Sequence, residues 1–130
     1  MDQTIDICNR TASTVIAMIE SEDAIQAVDD IASVEGVDVL LIGSADLTID
    51  MDLPGQFQSD RYRQAVEAIG NACRRHDKIF GIAGVYDNAE VHEWMINRNG
   101  VRFMLLAQDT SSIASGAARA VQAVPEVRAR

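Results

Sequence analysis

Short runs of apolar residues alternate with longer amphipathic stretches along most of the chain. The runs are continuous and do not switch between apolar and polar positions, which is typical of parallel strands covered on both faces. The predicted strands span 14–19, 37–42, 78–83 and 101–107. Such strands are joined by crossover helices, so the pattern predicts about four β/α units in a single α/β domain, 1–130.

Four helices are predicted after these strands, because apolar residues recur there at spacings of three and four. Their expected spans are 21–35, 60–76, 88–98 and 111–124. Ser21 is expected to cap the first of them. The polar segment 43–59, with its Pro54-Gly55 turn, is predicted to be a long loop. The first dozen residues are ambiguous, and the tail after Pro125 is expected to fray.

A parallel β/α array fits either an open doubly wound sheet or part of a closed eight-stranded barrel, and composition does not separate the two. No GxGxxG or P-loop pattern follows any predicted strand. This removes the simplest nucleotide-binding interpretation of an open sheet. Both folds bind ligands at the carboxyl ends of their strands, so functional residues are expected there.

Composition and charge narrow the class of partner. Hydrophobic residues make up 48% and charged residues 24% of the chain, as in an ordinary soluble globular protein. The formal charge of −9 argues against nucleic acid as a partner. No apolar run reaches the roughly 20 residues of a membrane span. The two cysteines show no CxxC spacing, and a reducing cytoplasm is the expected location.

Two acidic residues stand just past the first two predicted strands. Glu20 follows Ile19 directly, and Asp46 comes four residues beyond Ile42. Neighbouring parallel strands lie about 4.8 Å apart, so carboxylates at their ends can reach one cation. Their oxygens suit a hard divalent ion such as Mg²⁺ or Mn²⁺. The structural alternative is that Glu20 caps the following helix and Asp46 caps a loop turn.

The segments VIAMIES, IASVEGVDVLLIGSADLT and LPGQ, in this order and spacing, resemble the HpcH/HpaI family of metal-dependent aldolases. Those enzymes are (β/α)8 barrels about twice as long as this chain, so the resemblance implies the C-terminal half of a TIM barrel. It implies a class II aldolase, a lyase that cleaves or forms a carbon–carbon bond between pyruvate, or a related 2-oxo acid, and an aldehyde. The implied cofactor is Mg²⁺, with Mn²⁺ or Co²⁺ as alternatives.

The resemblance also implies roles for individual residues. Glu20 and Asp46 are the implied metal ligands. The implied substrate site comprises Ser44, Ala45, Asp46 and Ile82. Within it, backbone N–H groups around Ala45 and Asp46 hold the pyruvate carboxylate, since a tight turn can aim amides at an anion. Ile82 or its neighbour Ala83 lines the pocket.

The sequence also departs from the family pattern. Family members carry a general-base histidine and a substrate-binding arginine on early barrel strands that have no counterpart here. His76 and His92 lie in predicted helices, so neither is a natural substitute. A non-catalytic module that binds metal and a 2-oxo acid is therefore the alternative function, and a lyase for citryl or malyl thioesters ranks lower. The acidic segment Asp50-Met51-Asp52 is expected to be a solvated loop.

Half a barrel has two unpaired sheet edges and an uncovered inner face. We expect a second copy in a homo-oligomer, a complementing barrel half, or the rest of a longer chain to cover them. If the strands instead form an open sheet with helices on both faces, activity is doubtful.

Overall fold

The computed structural model describes residues 2–11 and 13–125. Within them, four parallel strands pair in chain order: β1 is Ile16–Ile19, β2 is Val39–Gly43, β3 is Ile79–Ala83 and β4 is Phe103–Met104. The helices of this part of the chain are α1 Asp2–Thr11, α2 Glu22–Gln26, α3 Val28–Ser33, α4 Ser44–Asp50, α5 Asp60–Arg75, α6 Ala89–Asn97 and α7 Asp109–Gln122.

The strand order distinguishes between the two expected folds. Each strand pairs in parallel with the next one along the chain. A doubly wound sheet reverses its strand order at a switch point, whereas a (β/α)8 barrel adds strands in one direction. The uninterrupted order β1-β2-β3-β4 is therefore the arrangement of half a barrel.

One face of the sheet forms the hydrophobic core with the helices. Leu40 pairs with Phe80 and Ile42 with Ile82, and all four side chains are buried. Phe80 faces α5, because its Cε1 atom lies 3.1 Å from where a Cβ on Gly70 would stand. α5 begins at Asp60, as predicted, and contributes a stripe of buried residues to this core: Tyr62, Ala65, Val66, Ile69, Ala72 and Cys73.

The opposite face of the sheet, which we call the inner face, is less covered. Side chains alternate along a strand, so Ile16 and Met18 of β1 lie on this face together with Ile79 of β3. These three side chains are 42%, 47% and 49% exposed. The described chain thus presents an apolar sheet face to solvent, as expected for half of a closed barrel.

The predicted loop 43–59 is wrong over nearly its first half, where the structure has α4. Leu47 and Met51 are buried one helical turn apart and anchor this helix to the core. The Thr48 hydroxyl lies 2.9 Å from the carbonyl oxygens of both Ser44 and Ala45, so its polarity is satisfied within the helix.

Other boundaries also differ from the prediction. The helix expected after Ser21 is divided at Ala27 into α2 and α3, and Val28 and Ala32 of α3 are buried in the core. β4 is a two-residue edge strand that pairs only with β3, shorter than the expected 101–107. The ambiguous start is helical as α1. The expectation for the tail after Pro125 lies outside the described residues.

Within 2–11 and 13–125, none of the helices combines the length and the apolar character that crossing a membrane requires.

Candidate metal and substrate site

The carboxylate pair lies at the carboxyl ends of two neighbouring strands. Glu20 directly follows β1, and Asp46 is in the first turn of α4, which begins immediately after β2. Ile19 pairs with Ile42 at the end of the β1–β2 ladder, so the chain segments that carry the two acids leave the sheet side by side.

The electrostatics of Glu20 show that its carboxyl group and that of Asp46 interact. The pKa of Glu20 is raised, chiefly because burial disfavours the charged form. A hydrogen bond shared with Asp46 and the negative charge of Asp46 act in the same direction. Neighbouring carboxyl groups of this kind can share a proton or a cation.

Gly43 makes room for the Glu20 side chain. A Cβ atom at Gly43 would stand 2.6 Å from Glu20 Oε1 and 2.7 Å from its Cγ. Both distances are below van der Waals contact, so Glu20 reaches across the end of β2 only because residue 43 lacks a side chain.

The backbone at the start of α4 is suited to an anion. Ser44, Ala45 and Asp46 are the first three residues of the helix, and such N–H groups have no acceptor within their own helix. Gly84, just after β3, approaches them closely: its Cβ would stand 2.9 Å from the Ala45 nitrogen and 3.4 Å from the Ser44 nitrogen. A side chain at position 84 would therefore crowd these two amides.

The side chains of two expected substrate residues lie in the core. The Ser44 hydroxyl is buried and accepts a 2.7 Å hydrogen bond from Tyr62 Oη, so only the backbone of Ser44 faces the strand ends. Ile82 is 2% exposed and lies on the helix-facing side of β3 with Phe80. Of the pair proposed to line the pocket, it is Ala83, opposite Gly43 in the ladder, that is on the same side as Glu20.

Glu20 does not cap the helix that follows it, and Asp46 does not cap a loop turn, so the two structural alternatives do not describe these acids. Ser21 is the residue that caps α2, since its hydroxyl accepts from the Ala24 N–H at 3.2 Å. Asp46 lies inside α4 and not in a loop turn. Asp50, expected in a solvated loop, is the last residue of α4, and its Oδ2 accepts the Glu22 N–H at 2.7 Å. Asp50 lies four residues after Asp46, so the two acids are on one face of α4.

Both histidines have structural partners. His76 caps the C-terminus of α5, and its Nε2 is 3.1 Å from Asp29 Oδ1. This position precedes β3 and is therefore at the end of the sheet opposite the carboxylates. His92 Nε2 is 2.9 Å from the carbonyl oxygen of Val85 and links α6 to the loop after β3.

The donor set at the strand ends is a pair of carboxylates. Across the described ranges, no cluster of three or more His, Cys, Asp or Glu side chains is arranged to hold a metal ion. A cation at Glu20 and Asp46 would take its other ligands from water or substrate oxygens. This is the usual way in which Mg²⁺ is bound, with one or two carboxylates and several waters.

The parallel strands in sequential order, with acidic side chains at their carboxyl ends, define part of a (β/α)8-barrel protein of the kind that binds ligands at that face. Comparison with known proteins is more specific. The chain belongs to the HpcH/HpaI aldolase/citrate lyase family, whose sequence profile matches residues 3–115.

Two curated relatives are similar to this chain over nearly its whole length. This chain is 47% identical to a 4-hydroxy-4-methyl-2-oxoglutarate aldolase of Chaetomium globosum over 97% of this chain. It is 46% identical to another of Hapsidospora irregularis over 95% of this chain. The alignments cover 47% and 46% of those proteins. The chain therefore spans about half the length of the curated relatives it matches.

Solved structures show the same partial coverage. The citrate synthase SbnG superimposes with a TM-score of 0.77 at 28% identity, covering 94% of this chain and 48% of SbnG. An HpcH/HpaI aldolase of Desulfitobacterium hafniense superimposes with a TM-score of 0.79 at 21% identity, covering 98% and 49% of the two chains, and supports the fold alone. The resemblance to half of a TIM-barrel aldolase is thereby confirmed.

Proposed function

We propose that this chain supplies the metal-binding and pyruvate-binding half of a lyase that cleaves or forms a carbon–carbon bond next to a 2-oxo acid. The observation that carries the proposal is the interacting pair Glu20 and Asp46 at adjacent strand ends. Membership of an aldolase/citrate lyase family supports the reaction class.

Glu20 and Asp46 are the proposed ligands of a divalent cation. Their hard oxygen donors suit Mg²⁺, with Mn²⁺ or Co²⁺ as alternatives. When bound, such an ion stabilises the negative charge that develops on a 2-oxo oxygen. In the metal-free protein the charge of Asp46 helps to raise the pKa of Glu20, and a bound cation would favour the charged form of that carboxyl group.

The start of α4 is the proposed cradle for the substrate carboxylate. The N–H groups of Ala45 and Asp46 donate to it, and the glycine at 84 leaves room for it. Ala83 forms part of the wall, whereas Ile82 supports that wall from the core. Fixed amide donors of this kind orient the 2-oxo acid without moving during the reaction.

The two curated relatives suggest the substrate class. In 4-hydroxy-4-methyl-2-oxoglutarate, removal of the C4 hydroxyl proton by a base allows the C3–C4 bond to break, and its electron pair moves towards the 2-oxo oxygen. Protonation of C3 then completes one pyruvate, and the C4 fragment leaves as a second pyruvate. We propose a 4-hydroxy-2-oxo acid of this type as the substrate, with the base contributed from outside residues 2–11 and 13–125.

The inner face is the proposed contact for the remainder of the barrel. Its exposed side chains, Ile16, Met18 and Ile79, require a partner surface, which we propose is a complementing half or a second copy of this chain. The alternative function, a non-catalytic module that binds metal and a 2-oxo acid, is favoured by the positions of His76 and His92, which are both held by structural partners.

The test combines light scattering with a pyruvate-release assay on 4-hydroxy-4-methyl-2-oxoglutarate in the presence of Mg²⁺, Mn²⁺ or Co²⁺. Metal-dependent release that is lost in Glu20→Gln and Asp46→Asn would support the lyase. Metal-dependent binding of pyruvate without release would support the module. If both variants bind Mn²⁺ as tightly as the unmodified chain, the metal site itself is refuted.

A further inference from the structure

Asp50 connects the two chain segments that carry the carboxylate pair. It is the last residue of α4 and lies one helical turn after Asp46, so the two side chains leave the same face of the helix. Its Oδ2 accepts the N–H of Glu22 at 2.7 Å. Glu22 is the first residue of α2 and follows Glu20 by two positions.

We propose that Asp50 is a positioning residue that holds Glu20 at the distance from Asp46 that a shared cation requires. The proposal rests on the proposed function of the carboxylate pair. Asp50 is not offered as a ligand, because its carboxylate is engaged by a backbone N–H.

A second side chain links the same two segments. Arg61 Nη1 donates to the carbonyl oxygen of Met51, the residue after Asp50, at 3.0 Å. Its Nη2 donates to Glu22 Oε1 at 2.5 Å. The end of α4 and the start of α2 are therefore joined through both the backbone and the side chain of Glu22.

Such a link is needed because Glu20 lies just beyond the sheet. The β1–β2 ladder ends at Ile19 paired with Ile42. The helix that follows Glu20 has only five residues, so it has few internal hydrogen bonds of its own. The hydrogen bonds to Glu22 therefore fix the segment that follows Glu20 relative to the end of α4.

The role depends on the reach of the acceptor more than on its charge, and this separates two conservative variants. Asp50→Asn retains an oxygen in the same place and loses the charge. Asp50→Glu retains the charge and moves the oxygen by one methylene group. We expect Asp50→Asn to bind Mn²⁺ within about twofold of the unmodified chain, and Asp50→Glu to bind it about tenfold more weakly, as is typical when a partner of metal ligands is displaced.

Asp23→Asn is the matched control. Asp23 also lies in the first turn of α2 and is exposed, so the variant removes one charge from the same region. We expect it to bind Mn²⁺ within about twofold of the unmodified chain. Free Mn²⁺ is followed by electron paramagnetic resonance, and the spectrum of the bound ion reports directly on its ligand geometry.

The outcomes separate the two proposals. If Glu20→Gln and Asp46→Asn leave Mn²⁺ affinity unchanged, the proposed metal site fails. If they weaken it but Asp50→Glu binds as the unmodified chain does, the positioning role alone is overturned. Weak binding by Asp50→Asn together with normal binding by Asp50→Glu would also overturn it, because the effect of Asp50 would then be one of charge.

Discussion

Replacing Gly43 with alanine tests whether Glu20 must lie across the end of β2. The new Cβ would stand 2.7 Å from Glu20 Cγ and 2.6 Å from its Oε1. Non-bonded carbons prefer about 3.5–4.0 Å, so the side chain must recede by roughly 1 Å. The atoms that move belong to a flexible side chain, and the φ of −84° at Gly43 is one that alanine adopts readily.

The expected result is therefore a loss of binding without a loss of fold. A displacement of roughly 1 Å at a preorganised site costs up to about 100-fold in function, and we expect Mn²⁺ affinity to fall at least about tenfold. The free energy of unfolding should change by less than about 1 kcal/mol. Isothermal titration with Mn²⁺ and urea denaturation measure the two quantities.

Gly116→Ala is the control, because a Cβ there meets nothing within 4 Å and the residue lies in α7. It should bind Mn²⁺ normally and gain about 0.5–1 kcal/mol of stability from helix propensity. Normal Mn²⁺ binding by Gly43→Ala would refute the assignment of Glu20 as a ligand in the observed conformation. A loss of stability above about 3 kcal/mol would instead show that the strand end cannot adjust.

Three further predictions concern titratable groups. In the metal-free chain the pKa of Glu20 is raised, so the contribution of Glu20 to stability is present below its ordinary pKa of 4.5 and is lost as pH rises through the folded value. Glu20→Gln should therefore be more stable than the unmodified chain near pH 7 and equally stable near pH 3; equal stability at both pH values in urea titrations contradicts this. Tyr62→Phe leaves the buried Ser44 hydroxyl without its hydrogen-bond donor and should lower the free energy of unfolding by about 1–2 kcal/mol. Urea titration measures this change, and an unchanged free energy would mean that the Tyr62–Ser44 hydrogen bond is absent in solution. Burial raises the pKa of Cys73 to about 11, so a thiol reagent at pH 8 should label the exposed Cys8 first and Cys73 only on unfolding. Mass spectrometry measures the labelling, and a labelled Cys73 in the folded chain would contradict its buried position.

Much of the fold was predictable because the strong signals are local. β2 and β3 are continuous apolar runs, and the pattern placed both within two residues of their observed starts. α5 has a long apolar stripe and a serine cap, so its start was predicted at the observed residue. For the same reason the end of the sheet at which Glu20 and Asp46 lie followed from the sequence.

The orientation of side chains within that site was harder to predict. Ile82 and Ala83 are neighbours, but successive strand residues point to opposite faces, and only the pairing of Gly43 with Ala83 shows which one faces the site. The same register assigns Ile82 to the core. Sequence spacing identifies the end of a strand, whereas the face depends on a pairing that involves a distant part of the chain.

α4 was missed because its stability comes from tertiary packing. Its seven residues include two aspartates, a serine and two other polar or small residues, which together resemble a loop. Burial of Leu47 and the bonds of the Thr48 hydroxyl offset that tendency, and neither can be read from a single sequence.

The pairing of β1 with β2 affects the order in which the elements of the protein fold. Glu20, Gly43, Asp46 and Asp50 all lie within residues 16–50, from the end of β1 to the end of α4. The β1–β2 pairing joins residues such as Ile16 and Val39, whereas the β2–β3 pairing joins Val39 to Ile79 across a longer stretch of chain, so closing the first loop costs less entropy. The segment that carries the proposed cation site can therefore assemble before the later strands pair, and a cation bound there would stabilise that early unit by mass action.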